Sequence, residues 1–548
     1  MGDLPEIRKS RHVRPWFLQQ CQIHQSAIVQ IFRGLFTSPS VIISDYREVN
    51  DLLTRRHAEF CRGLKNDAFA GILPHAHPSL ETFDPRFKEN RELVKDLMTP
   101  SFLDTVGYEI SSSRTNPFIF RLFWLTYDKV SAPQTRDAAI GFLNLLQLKA
   151  RIANGRPFDL TEDLSQFAFD IIASAATGPA WSKSHIGRQL AGLELAAASG
   201  SFIVPVDNVR QPVDFPTSQA SELLKALRVD EQSLWLAFYM PSPKIYYFLN
   251  KLRPSVRLAA RETRAHIKSR ILESVQRILN GGHLQCALDY IVQREVNVAK
   301  EANRLPMFDD PRIRDELYTY LLAGHDTIAG SLSWMIRRLS AWPEIQKRVR
   351  LDLRQTYSEA WVEARLPTIL EMKKHSPYLD AFIEEVLRHD SPIPTTALTA
   401  REDTIILGHP IPKETYLFLN LTGPSFTAPS IAVEDGRRSG APKLGNDARM
   451  SWDDSQPASF NPERWLKREA DGRLSFDPLS GPMLAFSAGP RGCFGKRLVR
   501  LQLRITLTLL IWSLEFDTVS EELNSFWDVD EFIVTVPKKC FVKVSAAT

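Results

Sequence analysis

Of the five cysteines in the chain, Cys493 has neighbours that could give its sulfur a task. It stands in Phe486-Ser-Ala-Gly489-Pro-Arg491-Gly-Cys493-Phe-Gly495, just before a run with helical spacing. Backbone N–H groups at a helix start, and the dipole behind them, favour an anion. Arg491 adds positive charge, and the glycines let the backbone turn tightly and a flat, bulky group approach. Such a place suits a permanently deprotonated thiolate serving as a metal ligand. Taken alone, a cysteine is as a rule a buried small hydrophobe. A nucleophilic cysteine would need a partnered histidine, and the nearby sequence supplies none.

Two further groups of polar residues sit where helix propensity disfavours them or where charge could pair. Ala323-Gly324-His325-Asp326-Thr327 falls midway along a helical run. Gly324 there costs about 1 kcal/mol relative to alanine, and Thr327 could simply bond back to its own helix. Glu385 and Arg388 are spaced i,i+3 on another helical run, with Phe460-Asn-Pro-Glu-Arg464-Trp downstream. A solvated pair of that kind is common and contributes little; a buried planar arginine network would be a geometrically defined brace.

Taken together, these motifs resemble the cytochrome P450 family. The Cys493 run matches the family's haem-binding loop FxxGxRxCxG at every specified position. The resemblance implies haem b with the Cys493 thiolate as axial iron ligand, within a cradle that includes Phe486 and Gly489, and with Arg491 on a haem propionate. Ala323–Thr327 looks like the A/G-G-x-D/E-T motif of the helix crossing the distal haem face. By that likeness, the small residues make room for O2, Asp326 and Thr327 deliver protons, and His325 packs or hydrogen-bonds rather than ligating. Glu385, Arg388 and Arg464 resemble the family's structural ExxR–Arg network. Phe87-Lys-Glu-Asn-Arg91 is similar to the W-x-x-x-R helix with Phe in place of Trp, and Arg401 looks like the arginine after the ExxR helix; Arg91 and Arg401 are the further propionate anchors implied. The implied activity is an O2-dependent monooxygenase fed electrons by NADPH-cytochrome P450 reductase. A haem-thiolate isomerase or peroxygenase on the same fold, and a non-catalytic haem-binding protein, are the alternatives; Asp326-Thr327 and the lack of a recognisable signalling domain favour the first. The Trp452-containing insert is similar to filamentous-fungal members, many of which tailor secondary metabolites such as terpenoids, polyketides or alkaloids.

The elements that must position these residues are mostly helices. Helical spacing follows Tyr46, covers 133–151 and 160–176, fills 222–280, and runs from Pro311 to about Ser340, from Pro377 to His389 and from 496 to 515. From Arg86 to Ile110 the pattern is helical and basic, whereas Gly63–Pro85 reads as a long surface loop and 422–459 as an irregular segment. Short strands are expected at Val41–Ser44, Thr404–Leu407 and Tyr416–Leu421, and Phe532–Val536 with Phe541–Val544 resembles a hairpin. The expected fold is mainly α with small β-sheets, one large P450-like domain over 30–548, preceded by a 1–29 extension without a membrane anchor.

Composition agrees with that class. The 548 residues are 44% hydrophobic and 24% charged, with net charge +4. Those values exclude a wholly disordered, collagen-like or multi-span membrane chain and give no reason to invoke nucleic acid. The cysteines form no CxxC pair, so neither a zinc ribbon nor a disulfide framework is indicated, and a reducing compartment is the simplest reading. An intracellular place is expected, cytoplasmic or peripherally on the endoplasmic reticulum. The apolar runs Leu195–Val206, Trp235–Met240 and Tyr246–Phe248 offer buried helix faces or a peripheral membrane contact. The apolar stretch near 195–250, together with the loop near 63–86, Ala323 and Pro392–Ala397, suggests a mainly apolar small-molecule substrate. Lys496, Arg497 and Arg500 would give the Cys493 side a basic face for an acidic flavoprotein.

Overall fold

In the computed structural model, several helices begin at side chains that cap them. Asp45 accepts from Glu48 N and opens α1 (Tyr46–Thr54). Asp84 accepts from Arg86 N, and Pro85 supplies a pre-set φ for α2 (Pro85–Leu93). Next come α3 (Ser131–Ala153) and α4 (Thr161–Thr177), the latter closed by Gly178 at φ 105°. Ser221 and Ser242 cap α5 (Glu222–Tyr239) and α6 (Pro243–Asn250), with α7 (Pro254–Leu279) following. Asp310 and Pro311 start α8 (Pro311–Ala341), whose 31 residues make a rod of about 46 Å. Two more helices complete the frame of the site, α9 (Pro377–His389) and α10 (Lys496–Ser513). The structure describes residues 3–9, 13–32, 39–98, 131–178, 184–200, 211–240, 242–438, 452 and 456–547.

The main core is helical. Phe142 of α3 stacks on Phe167 of α4 with ring centroids 4.6 Å apart. α8 packs against α4 on one side and reaches α9 and α10 on others. Gly324 makes the first contact possible: a Cβ there would lie 2.5 Å from Ile172 Cγ1 of α4. A smaller core lies under a five-stranded sheet with β1 (Ile28–Ile31), β2 (Ser40–Ile43), β3 (Phe60–Cys61), β4 (Thr395–Ala400) and β5 (Tyr416–Asn420) in the order β1-β2-β5-β4-β3. β2 and β5 run parallel and the other pairs antiparallel. The helix Val13–Ile23 packs on the sheet's other face, with Phe17 stacked 4.4 Å from Phe418 of β5.

Two expectations need correction. Gly63–Pro85 is not a plain surface loop: it contains a helix at Leu64–Ala70, and Ala68, Leu73 and Ala76 are buried. Its proline, glycine and histidine content hid the apolar residues that pull it inward. The expected C-terminal hairpin does not form. Val529–Glu531 pairs with Thr535–Pro537, while Phe541–Ala546 lies between Leu514–Asp517 and Phe158–Asp159. Cys540 N donates to Asp159 Oδ1 and Thr161 Oγ1 and Leu160 N donates to Cys540 O, and no local pattern encodes a partner so distant in sequence. The helices expected over 222–280 are present as three, separated at Ser242-Pro243 and at Arg253-Pro254. The expected stretches 99–110 and 201–206 lie outside the described residues, as does most of 439–455. Among the described residues no helix is long and apolar enough to cross a membrane.

Candidate functional site

The loop before α10 is folded by its own backbone. Cys493 N donates to Phe486 O at 2.8 Å and Gly492 N to Gly489 O at 3.0 Å. Gly489 has φ +67°, and a Cβ on it would overlap the Leu53 carbonyl of α1, so only glycine fits. Protein surrounds the Cys493 sulfur closely enough that burial pushes its pKa up, while the residue keeps an exposed side. The N–H groups of Gly495 and Lys496 and the charges of Lys496 and Arg91 pull the other way. Those donors are what a thiolate would use.

Cations gather beside this sulfur. Arg491 donates from Nε to Thr82 Oγ1 at 2.9 Å, from Nη1 to His77 O at 3.0 Å and from Nη2 to Leu80 O, and lies over the Phe87 ring. Burial, then the charges of Arg62 and Arg91, bring its pKa down to about 9. Arg91 lies 4.7 Å over the Phe494 ring, close enough to Cys493 for each to shift the other. Arg62 donates to Pro78 O at 2.8 Å, and burial brings it down to about 10. None of these three guanidinium groups makes an ion pair among the described residues. Arg401 stands apart from that group in its contacts: it is exposed, donates to Ala58 O at 3.1 Å and covers Phe83.

The first turns of α8 hold the same region from another side. Glu316 accepts from His77 N at 2.6 Å, sits 2.7 Å from His77 Nδ1 and accepts from Asn90 Nδ2 at 2.9 Å. Asp315 accepts from His75 N at 3.0 Å. About two turns on, some 10 Å along the helix, Ala323, Asp326 and Thr327 share one face. Ala323 is exposed in the middle of an otherwise largely buried rod. Thr327 Oγ1 donates to Ala323 O at 2.8 Å, the back-bonded arrangement. Gly324 faces α4 instead, so its missing side chain serves helix packing. His325 is buried on the α4 side, bonded to Ser165 and Glu231.

Below the loop lies a buried brace. Glu385 accepts from Arg388 Nε and Nη2 at 2.8 and 2.7 Å, from Arg464 Nε at 3.1 Å, from Trp465 Nε1 at 3.0 Å and from Asn461 N at 2.8 Å. Trp452 lies over both guanidinium groups, 5.3 Å from Arg388 and 5.2 Å from Arg464. Although burial disfavours the Glu385 carboxylate, bonds from Arg388 and His389 hold its pKa far below the ordinary range. Arg500 pairs with Glu384 of α9, and Lys496 and Arg500 flank Phe486, so part of the basic face is already neutralised.

Comparison with protein families decides the lineage: the cytochrome P450 family model matches residues 135–424 and 449–544. The chain belongs to the cytochrome P450 family. It is similar to the cytochrome P450 monooxygenase GME11363 of Pestalotiopsis microspora, 29% identical across 96% of this chain and 88% of the relative. It is similar at 29% to TRI13 of Fusarium sporotrichioides, over 99% and 92%, and at 29% to xilC of Penicillium rubens, over 95% and 86%. This P450 therefore has a haem cofactor implied by its family. The residues present fit such a group: a sulfur with N–H donors and an open side, half-buried cations that make no ion pair among the described residues, and half-buried Phe486 and Phe494 around them. Sequence reasoning missed His77, Asn90, Glu316 and Glu231. Their only local signal is a polar side chain on an otherwise apolar helical face, as at Glu231 and Glu316.

Proposed function

We propose that this P450 is a haem-thiolate monooxygenase that oxidises a mainly apolar small molecule, with residues 30–548 forming the haem domain. The observation that carries the reading is the convergence of Cys493, Arg91 and Arg491 at one place. In it, the Cys493 thiolate would bind the iron of haem b, and Arg491 and Arg91, which make no ion pair among the described residues, would meet the propionates. Arg401 is a rim residue in this reading, since its contacts are Ala58 and Phe83. The haem supplies O2 activation and oxygen transfer when bound. The chain's own residues bind substrate against apolar walls, hold it near Ala323 and exclude water. Asp326 relays protons from the same helix face as Thr327, whose hydroxyl must leave the Ala323 carbonyl to donate elsewhere.

Electrons come from an NADPH-dependent reductase docking near Lys496 and Arg497. The related enzymes named as fungal monooxygenases support a substrate from secondary metabolism. Ile245, Phe248, Leu249 and Leu252 are each more than half exposed, beside Lys244 and Lys251, which supports peripheral contact with a lipid surface such as the endoplasmic reticulum. The deciding experiment is the difference spectrum of the reduced protein with carbon monoxide. Wild type should give the thiolate-type band and Cys493→Ser should lose it; an unchanged band in the variant refutes the assignment.

A further inference from the structure

Where α8 crosses α4 and α5, three ionisable groups are packed together. His325 Nδ1 lies 3.1 Å from Glu231 Oε1 and 3.2 Å from Asp326 Oδ1. Its Nε2 lies 3.0 Å from Ser165 Oγ, and the edge of Phe169 closes the remaining side at 6.1 Å between centroids. Arg228 donates to that same Ser165 Oγ at 2.9 Å while bound to both oxygens of Glu162 at 2.9 and 3.0 Å. A hydroxyl oxygen that already accepts from a guanidinium turns its own hydrogen to another acceptor, here His325 Nε2. The neutral imidazole thereby carries its hydrogen on Nδ1, the atom that faces both carboxyl groups.

The charges that face this pocket are accounted for. Arg228 is committed to Glu162, at the partly exposed mouth between α4 and α5. Glu231 has no arginine or lysine partner among the described residues. Two carboxylates sharing one N–H in a buried site cannot both stay ionised at low cost. Burial, with the Asp326 charge adding to it, brings Glu231 up to about 8. Burial lowers the pKa of His325, but the carboxylates of Glu231 and Asp326 outweigh it and the net direction is up. Glu231 and His325 therefore each hold a proton more tightly than they would in water.

We propose that Glu231 and Asp326 form a carboxyl–carboxylate pair sharing one proton, clamped by His325 Nδ1–H, in which Glu231 reloads Asp326. This rests on the monooxygenase reading, in which Asp326 gives up protons. The step balances simply. With the single proton resting on Glu231, its O–H passes that proton to the Asp326 carboxylate, Asp326 gives it to the reaction, and the Glu231 carboxylate regains one from water. No electrons move. Glu231 and His325 are positioning residues, acting through Asp326, and Ser165 with Arg228 fixes the tautomer that lets them do so.

The test uses resting holoenzyme first and turnover second. The infrared spectrum near neutral pH should contain the carbonyl stretch of a protonated carboxylic acid, shifted in D2O and absent in Glu231→Gln. In Asp326→Asn the neighbouring negative charge is gone, so the pH midpoint of that band should fall by about one unit. Absence of the band from wild type, or an unmoved midpoint in Asp326→Asn, overturns the pair. In turnover, Glu231→Gln should cut product formed per NADPH by about tenfold, matching one pH unit of proton availability, with the carbon monoxide band and substrate binding unchanged. If Asp326→Asn uncouples while Glu231→Gln stays coupled, the reloading role is wrong and the monooxygenase reading survives. If Asp326→Asn stays fully coupled, the proton-delivery reading of Asp326 fails first, and reloading with it.

Discussion

Replacing Glu385 by glutamine should destabilise the protein far more than an ordinary charge deletion. The carboxylate is fully buried and receives five hydrogen bonds, four from side chains and one from the Asn461 N–H. Glutamine keeps the shape and one acceptor oxygen but leaves Arg388 and Arg464 as buried cations without a counter-charge. Breaking a buried ion pair on one side costs about 3–5 kcal/mol, against about 1 kcal/mol or less for a surface pair. The pH dependence follows in sign. The folded-state pKa of Glu385 is depressed, so its contribution is complete above the unfolded value of about 4.3 and declines as pH falls below that. Wild type and Glu385→Gln should therefore differ by a constant amount from pH 5 to 8 and converge in acid. Urea unfolding followed by far-ultraviolet circular dichroism at pH 7 and in acid measures both points. A difference under about 1 kcal/mol at pH 7 would show that the network behaves like solvated surface charge, and the argument from burial would be wrong.

Three other outcomes are expected. Gly489→Ala should lower the yield of haem-loaded protein severely, since it adds a positive-φ penalty to an overlap with the Leu53 carbonyl; the haem-to-protein absorbance ratio reads this, and normal loading would contradict the loop geometry. Reversing the charge of Lys496 and Arg497 should slow reduction by the reductase more at low salt than at high salt, with a smaller effect for Arg500, which Glu384 already holds; stopped-flow reduction across ionic strength checks it, and equal slowing at all salts counts against steering. Changing Phe248 and Leu249 to serine should release the protein from anionic vesicles in flotation without altering its carbon monoxide spectrum; unchanged flotation would remove the patch from membrane contact.

Much of the helical frame could be read from local chemistry. Asp310-Pro311 marks the start of α8, and Pro377 and His389 bound α9, because capping and proline effects act within a few residues. The Cys493 loop is legible for the same reason: its glycines, arginine and sulfur are contiguous. What escaped depends on contacts between distant segments. Glu316 is one acid in a charged helical turn until His77 and Asn90 arrive more than 200 residues away in sequence. Glu231 is an unremarked helix residue until α8 brings His325 against it. Gly324 suggests space for a ligand by its type, yet its position on the helix turns it to Ile172. Periodicity tells which face is apolar, not which neighbour will cover it.

The central strand Phe541–Ala546 ties together stretches made at very different times. Cys540 bonds to Asp159 across 381 residues, while the adjoining strand also borders Leu514–Asp517. A ribosome emits the first of these partners long before the last. The early edge must therefore wait, with its hydrogen-bonding groups satisfied by water or by a chaperone, until the late strand leaves the exit tunnel. A premature stop codon upstream of Phe541 would strip both neighbours of their shared partner and so lead to degradation, even with every residue around Cys493 already synthesised.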